Sequence, residues 1–226
     1  SLRHLPSIDN GIFNPDLYLE RLERSIIESV PAPVAVIVSF PSNPTAHVVS
    51  LEFYEEVVKI ALKYNVYILS DLAYAEIYYD NSPPPSILQI PKAKEVAVEF
   101  TSMSKTYAMA GWRIGFAVGN ERLINALTRI KSYLDYGAFT PVQVAAAAAL
   151  NGPQDCVQEI RSIYQKRRNV LINSMARAGW NIPSPKASMF AWAPIPDKYK
   201  DKGSLEFAKE LMLKADVAVS PGVSFG

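Results

Sequence analysis

A single cysteine, Cys156, stands in 226 residues. No intrachain disulfide can form, and a reducing, cytoplasmic compartment is the simplest reading. Charge of one sign is also missing: 23 basic side chains nearly cancel 22 acidic ones, leaving a formal net charge of +1. That balance gives no electrostatic footprint for nucleic acid or an anionic membrane, so a small molecule or a protein is the expected partner. No apolar run reaches the roughly 18 residues of a membrane-spanning helix. "VQVAAAAALNG" is too short for that and suits a tightly packed core helix. The two histidines, His4 and His47, lack metal-ligand spacing, and no HExxH or CxxC occurs. There is no GKS/GKT phosphate loop, and the glycines of "GWRIGFAVG" do not make a GxGxxG between strand and helix. The first residues show no basic-then-apolar leader. Neither a starting methionine nor a terminal helix cap is present, so the chain reads as part of a longer protein.

What is there is an alternation of two element types. "VAVIVSF" (34–40), "VYILSD" (66–71) and "VAVEF" (96–100) are short apolar runs rich in β-branched residues, as in parallel strands buried on both faces. Between the first two, "LEFYEEVVKIALKYN" (51–65) places Phe53, Val57, Ile60, Ala61 and Tyr64 on one helical stripe, with Ser50 as cap. A strand–helix–strand unit of this length implies a right-handed crossover and an open α/β sheet. "RIGFAVG" (113–119) reads as a further strand and "NERLINALTRIKSYL" (120–134) as the helix after it. After Asn151 a long amphipathic helix runs to Gly179. "SMFAWAPI" and "VAVSP" are strand candidates around the helix "SLEFAKELMLKA". The division expected is a large sheet domain over 1–150 and a smaller α/β domain over 151–226.

In open α/β sheets, ligands collect beyond the carboxyl ends of the strands. Here those ends deliver Asn43 from "PSNPT", Asp71 and Tyr74 from "SDLAY", and Ser102, Ser104 and Lys105 from "TSMSK"; Arg113 lies just beyond. Each has a plainer reading. Asp71 can cap a turn, Asn43 can serve the turn before Pro44, Tyr74 can be core packing, and Arg113 can form a structural ion pair. Ser104 can orient the lysine backbone, and Lys105 taken alone can be an ordinary surface lysine.

The ordered set "NPT", "SDLAY", "S-x-S-K" and "GWRIG" resembles the central part of a fold-type I, pyridoxal-phosphate-dependent aminotransferase of class I/II. "DYGAFTPVQVAAAAAL", "PKASMF" and "SLEFAKELMLKADVAVSPGVSFG" are similar to the bacterial alanine (glutamate–pyruvate) branch, so the likeness runs over nearly the whole chain. It implies an α/β fold of three layers, with a mostly parallel sheet and part of a smaller C-terminal domain. It implies that Lys105 holds pyridoxal 5'-phosphate as an internal aldimine and shuttles a proton in a ping-pong transfer between an amino acid and a 2-oxo acid. Asp71 would pair with the pyridine nitrogen, Tyr74 and Asn43 with the phenolic oxygen, and Ser102, Ser104 and Arg113 with the phosphate. Similar enzymes are homodimers, in which Thr140 lies in a region approaching the partner's phosphate; helix capping is its other reading. The family also uses an upstream glycine-containing loop and stacking aromatic, and a downstream arginine for the substrate carboxylate. None of these lies in the 226 residues, so the isolated polypeptide is expected to hold cofactor weakly and turn over little. Two rivals share the scaffold: a carbon–sulfur β-lyase, and the sensor domain of a transcriptional regulator.

Overall fold

The computed structural model describes residues 2–9 and 12–225. Two short strands, β1 (Ile8–Asp9) and β2 (Ile12–Phe13), pair antiparallel ahead of helix α1 (Pro15–Glu28). Asn14 starts α1: its Oδ1 accepts from the Leu17 backbone at 3.0 Å, and Pro15 fills a position that needs no N–H donor. Strand β3 (Ala35–Ser39), helix α2 (Leu51–Tyr64) and strand β4 (Tyr67–Asp71) form the expected parallel crossover unit. Ser50 caps α2, accepting from the Phe53 N–H, and Asn65 closes it in the left-handed conformation. A short helix α3 (Ala93–Val96) leads into β5 (Ala97–Ser102), which is followed by α4 (Met103–Thr106) and β6 (Gly115–Gly119). The order across the sheet is β3-β4-β5-β6, parallel except for the antiparallel β5–β6 pair. The remaining helices are α5 (Glu121–Leu134), α6 (Thr140–Asn151), α7 (Asp155–Arg177) and α8 (Gly203–Ala215).

Strand alternation separates the two sheet faces. Val36, Val38, Ile68 and Ala97 are buried in one cluster with Tyr18, Leu22 and Ile26 of α1 and Phe53, Tyr54, Val57, Val58 and Ala61 of α2. Burying such side chains is worth roughly 1.5–3 kcal/mol each, so this layer is where the fold is anchored. On the opposite face, Ile37 is 60% exposed although both its strand neighbours are buried. The run 34–40 is therefore covered on one side only among the described residues. Gly119, at φ +139°, lets β6 close onto β5, since a Cβ there would stand 2.3 Å from the Ala97 carbonyl oxygen.

Three expectations need correction. "SMFAWAPI" and "VAVSP" form no strand; the first region contributes only an isolated bridge between Ala187 and Tyr78. Their prolines remove ladder donors. The strand expected from residue 113 begins at Gly115. The alanine-rich α6 buries only Ala146, because the described chain covers little of its surface.

Candidate active site

The crossover topology brings the carboxyl ends of β3, β4 and β5 to one edge. Ser39 is in register with Asp71, and Asp71 with Phe100, two residues before Ser102. Asn43, Asp71, Tyr74 and Lys105 meet near that edge, each held by local chemistry. A closed turn carries Asn43: the Ser42 N–H donates to the His47 carbonyl at 2.9 Å, and the His47 N–H returns to Ser42 Oγ at 2.9 Å. His47 thus serves turn packing, with its ring 5.6 Å from that of Phe13, while His4 is exposed.

Asp71 ends β4 with its carboxylate exposed. Its Oδ1 accepts from the Ala73 backbone at 3.1 Å, and its Oδ2 meets Ser39 Oγ at 3.4 Å. The turn-capping role is real, and it leaves acceptor capacity free for a further donor. Tyr74 follows, 8% exposed. Burial pushes its phenol above the ordinary value and the Asp71 carboxylate adds to that, while the neighbouring Asn43 side chain opposes both. Asn43, Asp71 and Tyr74 therefore act on one another as one cluster.

Lys105 enters from the neighbouring strand. Ser102 starts the single turn α4, its Oγ accepting from the Ser104 N–H at 3.1 Å, and Met103 is buried beneath. This turn aims the half-buried Lys105 toward Tyr74, with Nζ 6.0 Å from the centre of the phenol ring. Arg113 is less tightly gathered. It is exposed, in the left-handed conformation at φ 51°, and donates to the Ala110 carbonyl at 2.9 Å. Four of its five N–H donors remain for other acceptors. Ser104 is half-buried beside Lys105, and the exposed Thr140 opens α6, which has no side-chain cap.

Two neighbours were not legible in the sequence. Ser39 carries no motif, but its place directly opposite Asp71 follows once β3 and β4 are paired. Phe190 packs edge-on against Tyr74, ring centres 5.5 Å apart, from the far half of the chain. The quoted "PKASMF" contains it, and nothing in its spacing assigns that contact.

The family model for aminotransferase class I and II matches residues 14–226, and the chain belongs to that family. It is 57% identical over 209 residues to the glutamate-pyruvate aminotransferase AlaC of Escherichia coli, covering 92% of this chain and 51% of that protein. With the LL-diaminopimelate aminotransferase of Moorella thermoacetica it shares 44% over 203 residues, covering 88% and 51%. The crystal structure of an aromatic aminotransferase from Pyrococcus horikoshii superposes with a TM-score of 0.86 at 27% identity, covering 98% of this chain and 58% of that one. The chain thus spans about half the length of the curated relatives it matches. Members of the family use pyridoxal phosphate. The donor set fits that group: a carboxylate with a free acceptor site, a buried phenol beside an amide, and an amine near that phenol. No helix of the described residues is long and apolar enough to cross a membrane.

Proposed function

We propose that this chain is the cofactor-carrying part of an aminotransferase that exchanges an amino group between alanine or glutamate and a 2-oxo acid. The observation that carries the reading is Lys105 Nζ standing 6.0 Å over the ring of Tyr74, whose phenol is acted on by both Asn43 and Asp71. The similarity to a glutamate-pyruvate aminotransferase at 57%, against 44% for a diaminopimelate enzyme, supports the choice of substrates.

Bound pyridoxal phosphate would supply a conjugated ring able to accept the electron pair left at a substrate α-carbon. The protein's own groups do the rest. Lys105 would be the residue that holds the group, and its Nζ would take the α-proton from the substrate and return it. The Asp71 carboxylate would accept from a protonated ring nitrogen and favour its charged form. Tyr74 and Asn43 offer donors to the ring's phenolic oxygen. Ser102, Ser104 and Arg113 would contribute donors to the phosphate, Arg113 through N–H groups not used on the Ala110 carbonyl. Residues 1–150 form the cofactor domain in this reading and 151–226 begin the smaller one. The protein works as a cytoplasmic homodimer, Thr140 lying toward the partner's phosphate.

A visible absorption spectrum of the full-length protein with added cofactor, followed by an amino-donor screen, tests the reading. A yellow protein that needs a 2-oxo acid to consume alanine or glutamate agrees with it. Release of ammonia and pyruvate without an acceptor would assign a lyase instead, and a colourless protein would refute cofactor binding.

A further inference from the structure

Beyond Tyr74 the chain forms an extended segment held from two sides. On one side the Ser188 N–H donates to the Ile77 carbonyl at 2.7 Å, and the Tyr79 N–H to the Lys186 carbonyl at 2.9 Å. The Tyr79 hydroxyl donates to the Ser188 carbonyl, and Phe190 packs edge-on against Tyr74. On the other side lies α7. Arg161 and Arg168 are seven positions apart, about two turns, and so project from one helix face.

Their surroundings match. Arg161 donates through Nε to the Glu76 carbonyl at 3.0 Å and through a terminal nitrogen to the Glu76 carboxylate at 2.8 Å, with its guanidinium 3.8 Å from the centre of the Tyr78 ring. Arg168 grips both oxygens of Asp80 at 2.7 and 2.9 Å, donates to the Pro185 carbonyl at 3.2 Å and lies 4.6 Å from the Tyr79 ring centre. The arginine side chains are only 19% and 8% exposed, while their carboxylate partners are 46% and 61% exposed, so the burial lies on the arginine side of each pair. Forked, charge-assisted bonds combined with ring stacking are contacts that lysine cannot reproduce. The Arg168 guanidinium holds the Asp80 carboxyl below the usual carboxylate value. Arg168 also bridges the two sides, since Pro185 immediately precedes the 186–188 pairing.

We propose that Arg161 and Arg168 are positioning residues: together they clamp segment 76–80 against α7 and thereby fix where the Tyr74 phenol points. The inference rests on the role given to Tyr74 above. Glu76 is two residues from Tyr74, and the Ile77 N–H donates to the Tyr74 carbonyl at 3.1 Å, so the clamp reaches the phenol through one short turn. Motion of α7 relative to the sheet would move Tyr74 directly.

Two measurements on the full-length protein test this, using R161K, R168K, the double variant and D80N. The first is hydrogen exchange of residues 74–81 in cofactor-free protein. The clamp predicts exchange faster by at least about tenfold in the double variant, with β4 and α2 unchanged. The second is the pH midpoint of the visible cofactor band, expected to shift by about half a unit or more in the double variant, in the direction that Tyr74→Phe shifts it. Unchanged exchange over 74–81 in the double variant would overturn the clamp. Faster exchange with an unmoved midpoint, while Tyr74→Phe moves it, would overturn the link to Tyr74. If Tyr74→Phe itself leaves the midpoint in place, the role of Tyr74 falls, and with it the positioning of that phenol, while the exchange result still decides whether the clamp exists.

Discussion

Helices α2 and α5 are each 14 residues long, each starts on a capping side chain and each carries an apolar stripe. Their fates differ. In α2, Phe53, Tyr54, Val57, Val58 and Ala61 are buried against the sheet and α1, whereas α5 buries nothing and leaves Ile130, Tyr133 and Leu134 at 55%, 75% and 77% exposure. Amphipathicity is a property of a segment, while burial belongs to a pair of surfaces. The partner of α2 lies within the described chain; nothing there covers α5 to the same degree. The proposed homodimer and longer protein would supply such a cover.

The largest effect expected from this contrast is on stability. Phe53→Ala removes a ring 5.4–5.9 Å from those of Phe13, Tyr18, Phe40 and Tyr54, and should cost about 3–5 kcal/mol in denaturant unfolding. Leu134→Ala in the same 226-residue chain should change stability by less than about 0.5 kcal/mol. Equal costs would break the comparison, and a larger Leu134 cost in the full-length protein would sharpen it.

The interior beneath α2 also contains a carboxyl group. Glu99 is 4% exposed and accepts from Ser86 Oγ at 2.7 Å and from the Ile87 N–H at 3.0 Å. Burial raises it above the ordinary 4.5, against the pull of those bonds. The native protein then binds this proton more tightly than the unfolded chain does. Its contribution is complete below the ordinary value and is lost as pH rises through the raised one. Urea midpoints measured between about pH 4 and 7 should show that decline from this site, and Glu99→Gln should flatten it. An unchanged slope would remove Glu99 as its source.

Helix starts supply the smallest test. Ser50→Ala deletes the α2 cap and should cost about 1 kcal/mol, read from the same unfolding curves. Phe139→Ala, at the uncapped and exposed start of α6, should cost no more than a few tenths. A reversed order would show that the Ser50 hydroxyl does not hold the start of α2.

Local chemistry was readable in the sequence wherever the partner was near. The β-branched runs of β3, β4 and β5, the Ser50 cap and the polar residues at strand ends needed only neighbouring positions. The clamp was not readable, because Arg161 and Glu76 are 85 positions apart and Arg168 and Asp80 are 88. The Tyr74–Phe190 contact was hidden for the same reason. The exposure of Ile37 and α6 was missed from the other direction, since an apolar pattern announces that a surface wants cover without saying where the cover resides.

The central claim is that the Lys105 amine is the group that binds the cofactor. Borohydride reduction of the cofactor-loaded full-length protein, followed by mass mapping of its peptides, addresses this residue directly. The account predicts a reduced pyridoxyl group on Lys105 and none in Lys105→Ala; a label on another lysine, or bound cofactor without any label, would contradict it.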